Sequence, residues 1–300
     1  MTLLSQRLSQ TARARGVRHN LQIMQVQTAY WHYPAEIENA PTVVLIHGYR
    51  GNHHGLEAIA GGLAKFNLII PDLPGFGSSE PLKVEHSIEN YSWWLGEFLA
   101  NLGLSEKPHL LGHSFGSIVV SHHAAHGANI RTLILENPVS APALKGPNAP
   151  ITAVAQSFFK LAELLPNRAG LGILKSWPMV RGMSILMTKS WRRTLRKWVH
   201  AQHDENFNDF ANRKVAIEGY RASISHCVAE YSPSFAVPTL VLIGSKDDIT
   251  SPKQQAAMVK TIKTEYELVE FAGVGHLTHY EIPDLIAESI AKFVAHHENR

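Results

Sequence analysis

The sequence predicts an α/β fold: a mostly parallel central sheet flanked by helices, with a helical insertion late in the chain. Three observations predict it. Short apolar runs alternate with stretches of helical periodicity, the order that builds a parallel sheet with right-handed crossovers. Most of these runs are apolar throughout, as strands buried on both faces are. The alternation then stops over residues 141–230, where Pro142, Pro166, Gly170, Gly172, Pro178 and Gly182 separate helical patterns and no buried strand is legible. The expected division is an α/β core of residues 1–140 and 231–300 and a helical cap of residues 141–230. At 300 residues and 45% hydrophobic content, the chain can bury one large core with such an insert.

In chain order, residues 1–20 carry Arg7, Arg13, Arg15 and Arg18 without an acid and read as a short basic helix or a loose segment. Gln22 to Tyr33 reads as an antiparallel hairpin at one sheet edge. Thr42–Ile46, Leu68–Ile70, Leu110–Leu111 and Leu133–Leu135 are the buried strands before the insertion, and Thr239–Ile243 is the first after it. Tyr266–Phe271 alternates in polarity, so it is expected at an edge. Between strands, Ser87 to Asn101 sets Ile88, Tyr91, Leu95, Phe98 and Leu99 at helical spacing.

Composition narrows the function classes. The net charge of +3 gives no argument for nucleic acid. The basicity is concentrated, since residues 141–230 hold 13 Lys and Arg against 6 Asp and Glu. A single cysteine, Cys227, excludes an intrachain disulfide, fits a reducing compartment and is expected as a small half-buried residue. Eighteen histidines include the pairs His53–His54, His122–His123 and His296–His297. These are expected to face solvent, and no metal or cofactor is expected. The N-terminus has no apolar leader, and no run reaches the roughly eighteen apolar residues of a membrane span. The expectation is a cytoplasmic protein with no transmembrane segment. Nothing in the sequence sets its oligomeric state.

Gly112–His113–Ser114–Phe115–Gly116 lies between an apolar run and an apolar, β-branched stretch. Strand, sharp turn and helix form the context of a nucleophile elbow, in which glycines relieve the crowding around an exposed serine. A serine alcohol needs a base, and the base needs an acid that orients it. After Thr239–Ile243 comes Gly244–Ser245–Lys246–Asp247–Asp248, which places a carboxylate at the C-terminal edge of the sheet, where ligands bind in open α/β folds. Asp247 is the expected acid and Asp248 the alternative, with one of the two expected to cap a turn or helix. After Leu268–Phe271, two glycines precede His276, the expected base, with His279 as a structural neighbour. An oxyanion hole needs two aimed backbone N–H groups. Phe115, opening the helix after the elbow, and Tyr49, in the loop His47–Gly48–Tyr49–Arg50–Gly51, are the expected donors. His47 is expected to close that loop, and Asp72 to hold the turn Asp72–Leu73–Pro74–Gly75–Phe76–Gly77.

Taken together, these five segments resemble the α/β-hydrolase superfamily over roughly residues 40–140 and 235–295. The resemblance implies a Ser-His-Asp hydrolase with a lid inserted after the sixth strand. Ser114 argues against its haloalkane dehalogenases and epoxide hydrolases, whose nucleophile is aspartate. Leu277 stands where the carbon–carbon bond hydrolases often carry tryptophan. Three readings follow. The first is a serine hydrolase of a carboxylic ester or related acyl bond, acting on a small molecule that is anionic or lipid-like. The second is a carbon–carbon bond hydrolase of a vinylogous diketone acid, with a cap arginine holding the carboxylate. The third is a non-catalytic binding protein on the same fold. In the cap, Trp191, Leu195 and Trp198 are expected on one helix face packed inward, with Arg192, Arg193, Arg196 and Lys197 elsewhere. Met179, Met183 and Met187 suit a core or an adaptable pocket.

Overall fold

The computed structural model describes residues 3–142 and 149–298, so residues 143–148, at the start of the expected cap, lie outside the described residues. The chain opens with α1 (Leu4–Arg15), β1 (Val17–Ile23), β2 (Val26–Tyr33) and β3 (Thr42–Ile46). Then come α2 (Glu57–Gly62), β4 (Asn67–Pro71), α3 (Ile88–Asn101), β5 (His109–His113), α4 (Phe115–Ala125) and β6 (Thr132–Glu136). Five helices follow before the next strand: α5 (Ala149–Leu164), α6 (Asn167–Leu174), α7 (Trp177–Met187), α8 (Arg193–Asn206) and α9 (Arg213–Ser225). The chain closes with β7 (Thr239–Gly244), α10 (Pro252–Val259), β8 (Tyr266–Phe271), α11 (Thr278–Glu281) and α12 (Pro283–Glu298).

Eight strands form one sheet in the order β1-β2-β4-β3-β5-β6-β7-β8. From β4 through β8 every pairing is parallel, while β2 runs antiparallel to both β1 and β4. The central strands are buried on both faces, and alternate residues feed two separate cores. Val44, Ile46, Leu110, Leu133, Leu135, Val241 and Ile243 join Trp94, Phe98 and Ile118 from α3 and α4. Val43, Leu45, Leu111, Ile134, Leu240 and Leu242 join Ile59, Ile286 and Ile290 from α2 and α12. That is why these strands read as continuous apolar runs. β8 lies at the sheet edge and is partly exposed, as its alternation predicted.

The N-terminal segment settles as a helix. Arg13 Nε meets the buried Glu57 carboxylate at 2.5 Å, and Ser5 Oγ donates to Tyr280 O at 2.8 Å. The expected hairpin is longer than read, starting at Val17 and turning at Met24–Gln25, both of which have positive φ.

Two expectations are corrected. Trp191 does not join a helix face with Leu195 and Trp198. It precedes α8 and is 85% exposed, while Leu195 and Trp198 pack with Val199, Leu277 and Tyr280. The helix begins too late to carry Trp191 inward. The histidine pairs do not all face solvent. His53 is buried, stacks on Trp31 with ring centroids 3.3 Å apart, and bonds Asp72, while His297 is also buried. Cys227 is buried, and burial pushes its thiol up to about 11, far from a thiolate nucleophile. No helix among the described residues is long and apolar enough to cross a membrane.

Candidate active site

β5 ends at His113, and Ser114 turns the chain directly into α4 with φ 51° and ψ −119°. A non-glycine residue in that conformation is strained, and the turn is tight enough to need glycines around it. A Cβ on Gly112 would lie 2.5 Å from Gly116 O, and one on Gly116 would lie 2.4 Å from Ile46 O. The turn is held by Ser114 N–H donating to Glu136 O at 3.1 Å. It is also held by Ser117 Oγ, which donates to Ser114 O at 2.5 Å and accepts from Val139 N–H at 3.1 Å.

Three of the sequence-predicted residues meet here. His276 Nε2 is 2.7 Å from Ser114 Oγ, and His276 Nδ1 is 2.9 Å from Asp247 Oδ2. Ser114 comes from the β5–α4 turn, Asp247 from the loop after β7 and His276 from the loop after β8. The two later loops are pressed together: Lys246 N–H donates to Val274 O at 2.8 Å, and Gly273 N–H donates to Ser245 Oγ at 2.8 Å. Asp247 Oδ2 also accepts from Asn137 Nδ2 at 3.0 Å and Gln255 Nε2 at 3.2 Å. Its Oδ1 accepts the N–H groups of Ile249 and Thr250 at 2.8 and 3.2 Å. Burial alone would push this carboxyl up. His276 and these donors hold it below its ordinary value, so it stays ionised.

Asp248 is placed differently. It is exposed and pairs with Lys189, so the two aspartates do not share the roles as the sequence suggested. Asp247 both faces the histidine and closes the turn over residues 247–250, whereas α10 is capped by Ser251. Phe115 is the first residue of α4, and the first N–H groups of a helix have no partner within it. Tyr49 lies in the turn after β3, beside the elbow: a Cβ on Gly48 would lie 3.2 Å from Ser114 Cβ. His47 closes this loop, with Nε2 accepting Leu73 N–H at 2.9 Å, and burial pulls its imidazole down to about 4. Asp72 accepts from His53 and Ser78 and has a scaffold role.

A buried polar layer behind the elbow was not legible. Glu136 is wholly buried, with His113 Nδ1 at 3.3 Å and His279 Nδ1 at 3.7 Å. Thr278 Oγ1 lies 2.5 Å from Glu136 Oε1 and 2.6 Å from Asn137 Oδ1, and its one proton serves one of them at a time. The neighbouring imidazoles hold the Glu136 carboxyl far below its ordinary value against the opposing effect of burial, while burial pulls His279 down to about 4. The signal was the pair Glu136–Asn137 ending an apolar run, with Glu136 in register with His113 on one side and Leu242 on the other. The donor atoms of His113, Glu136 and His279 lie within 4.8 Å of one another, a spacing that a metal ion could use. So do those of His53, His54 and Glu57, where Glu57 already bonds His54 and Arg13. Glu265, His296 and His297 form a third such group.

Ser114 and His276 open onto a cavity of about 610 Å³. Its walls are largely apolar, with Phe115 and Val139 from the core and Phe158, Phe159, Met183, Met187 and Ile224 from the inserted helices.

The family model for the α/β hydrolase fold matches residues 41–283, and the chain belongs to that family. It is an α/β-fold hydrolase. Lipase 1 of Psychrobacter immobilis is 27% identical over 264 residues, covering 84% of this chain and 76% of that protein. The pimeloyl-[acyl-carrier protein] methyl ester esterase of Aeromonas hydrophila is 40% identical over 98 residues, 31% of this chain and 36% of that protein. Among solved structures, a thermophilic esterase from Thermogutta terrifontis superposes with a TM-score of 0.75 at 20% identity, covering 94% of this chain and 99% of that one. That likeness is one of fold.

Proposed function

We propose that the chain hydrolyses a carboxylic ester or related acyl bond, with Ser114 as nucleophile, His276 as proton shuttle and Asp247 as the acid that orients it. The observation that carries this reading is the 2.7 Å contact between Ser114 Oγ and His276 Nε2 on the wall of an apolar cavity. The lipase and esterase names of its relatives point the same way.

In the proposed reaction Ser114 Oγ attacks the acyl carbon as His276 Nε2 takes the hydroxyl proton. Asp247 stabilises the imidazolium and fixes the tautomer with a proton on Nδ1. The carbonyl oxygen gains negative charge and meets the N–H groups of Phe115 and Tyr49. His276 then gives its proton to the departing alcohol oxygen. A water, deprotonated by the same imidazole, attacks the acyl-enzyme and releases the acid with Ser114 restored.

The inserted helices act as the cap of residues 141–230, and their apolar side chains accept the acyl chain. Their positive surplus favours an anionic or lipid-borne ester over a neutral, water-soluble one. The carbon–carbon reading is less well supported. It needs a free cation for a substrate carboxylate, and among the described residues the lysine and arginine lining the cavity are engaged: Arg50 with carbonyls and Lys189 with Asp248. The test is a chain-length series of p-nitrophenyl esters on the wild type and on Ser114→Ala. Turnover in the wild type, a loss of at least about 10⁴-fold in kcat in the variant and an unchanged circular dichroism spectrum are expected. A folded variant that retains turnover contradicts the reading.

A further inference from the structure

The turn that carries Tyr49 is bound to the inserted helices by its own side chains. Gly51 N–H donates to Gly48 O at 3.0 Å and closes a four-residue turn, in which Arg50, the third residue, has φ 60°. Glycine or asparagine is the usual occupant of that position, as in a type II turn, and arginine is strained there. Arg50 is also wholly buried, and among the described residues no carboxylate lies within ion-pair distance of it.

Its donors run to the inserted segment instead. Nε donates to Phe207 O at 3.0 Å, and Nη2 donates to Leu174 O at 2.9 Å and Asn208 Oδ1 at 2.6 Å. Leu174 ends α6 and Phe207 follows α8, so the guanidinium sits at two helix C-termini, where backbone dipoles favour a cation. The rings of Phe207 and Phe210 lie 5.3 and 5.0 Å from its centre. Tyr49 makes the same crossing, its hydroxyl donating to Ala216 O of α9 at 2.5 Å.

We propose that Arg50 is a positioning residue for the oxyanion site: it fixes the Gly48–Gly51 turn, and with it the Tyr49 N–H, to the seated position of α6 and α8. This rests on the catalytic reading of Ser114 and Tyr49 given above and adds to it a coupling between the inserted helices and the chemistry. With glycine at position 50 the turn would be relaxed and held to the inserted segment only through the Tyr49 hydroxyl on α9, with no tie to α6 and α8. With arginine it is strained but registered against the cap. A donor displaced by about 1 Å loses on the order of 10²-fold in rate.

Arg50→Gly keeps the turn and the Tyr49 tie to α9, and removes the ties to Leu174, Phe207 and Asn208. The measurements are kcat and KM on a p-nitrophenyl ester, and the affinity for a trifluoromethyl ketone relative to the matching methyl ketone. The trifluoromethyl ketone forms a hemiketal oxyanion on Ser114 that occupies the hole. The expected result is a fall of about 10²-fold in kcat, a change in KM of less than about threefold, and a matching fall in the ketone affinity ratio. The pH profile of kcat/KM keeps its acid limb, because the Ser114–His276–Asp247 contacts are untouched. Asn208→Ala removes one acceptor from the far side, gives a smaller fall in the same two quantities, and decides the matter if Arg50→Gly does not fold. Unchanged kcat and ketone ratio, with only a lower unfolding midpoint or a higher KM, overturns the proposal and leaves Arg50 as a structural tie. A wild type that neither reacts at Ser114 nor binds the trifluoromethyl ketone overturns the catalytic reading itself, and this proposal with it.

Discussion

Asp247 holds two jobs that its neighbour could have shared. One carboxylate oxygen faces His276, and the other closes the turn through the N–H groups of Ile249 and Thr250. Asp247→Asn therefore affects both orientation and loop, and kcat is expected to fall about 10⁴-fold on the ester series. Asp248→Asn removes an exposed pair with Lys189 and is expected to change kcat by no more than about fivefold, the scale of a surface ion pair. Equal losses in the two variants would reverse the assignment. That Ser114, Asp247 and His276 would come together was legible because each follows a strand run, with Gly112 and Gly116 flanking Ser114, Gly244 three residues before Asp247, and Gly273 and Gly275 before His276. Glu136 and Arg50 were not legible as part of the site. Glu136 matters through His113 and His279, and Arg50 through Leu174 and Phe207, partners that only the folded chain brings near.

The elbow's geometry is enforced by neighbouring backbone. Gly116 packs under Ile46 O and Gly112 under Gly116 O, so β3, β5 and α4 meet without room for a methyl group. Gly116→Ala is expected to lower stability by at least about 1–3 kcal/mol, read as the urea midpoint, because backbone rather than a flexible side chain must yield. A wild-type midpoint in that variant would mean that the turn is looser than its contacts indicate. Strands were legible because two-faced burial writes continuous apolar runs, and α3 because Ser87 caps a clear helical pattern. The helix around Leu195 was read as starting two residues too early. Trp191 fits the helical spacing, but the backbone reaches helical form only at Arg193, and spacing alone does not mark that boundary.

Across the whole molecule, the fold keeps several titratable groups buried in one protonation state. Burial pulls His47 and His279 down to about 4 and His203 to about 3, against an ordinary value of 6.5. Below pH 6.5 the unfolded chain takes up protons on these residues that the folded chain refuses until near pH 4. Their contribution to stability is therefore complete above pH 6.5 and is lost as pH falls from there toward 4. Each histidine contributes a slope of up to about 1.4 kcal/mol per pH unit. Asp72 and Asp247, both held below the ordinary carboxylate value, add a further loss once pH drops below that range. Urea midpoints at pH 7 and pH 4.5 should differ clearly, and His279→Gln should narrow the difference. Equal midpoints would contradict the burial argument. That helices fill the described residues between β6 and β7 was legible at this scale from the loss of strand rhythm after residue 141. How the inserted helices close was not, because that closure depends on single contacts such as Tyr49 Oη to Ala216 O.

The most direct test of the central claim is the intact mass of the wild type and of Ser114→Ala after exposure to a fluorophosphonate. One adduct on the wild type, mapped to Ser114, with none on the folded variant, is the predicted result. A folded wild type that takes no adduct, or an adduct that persists in Ser114→Ala, would contradict an activated serine at the elbow.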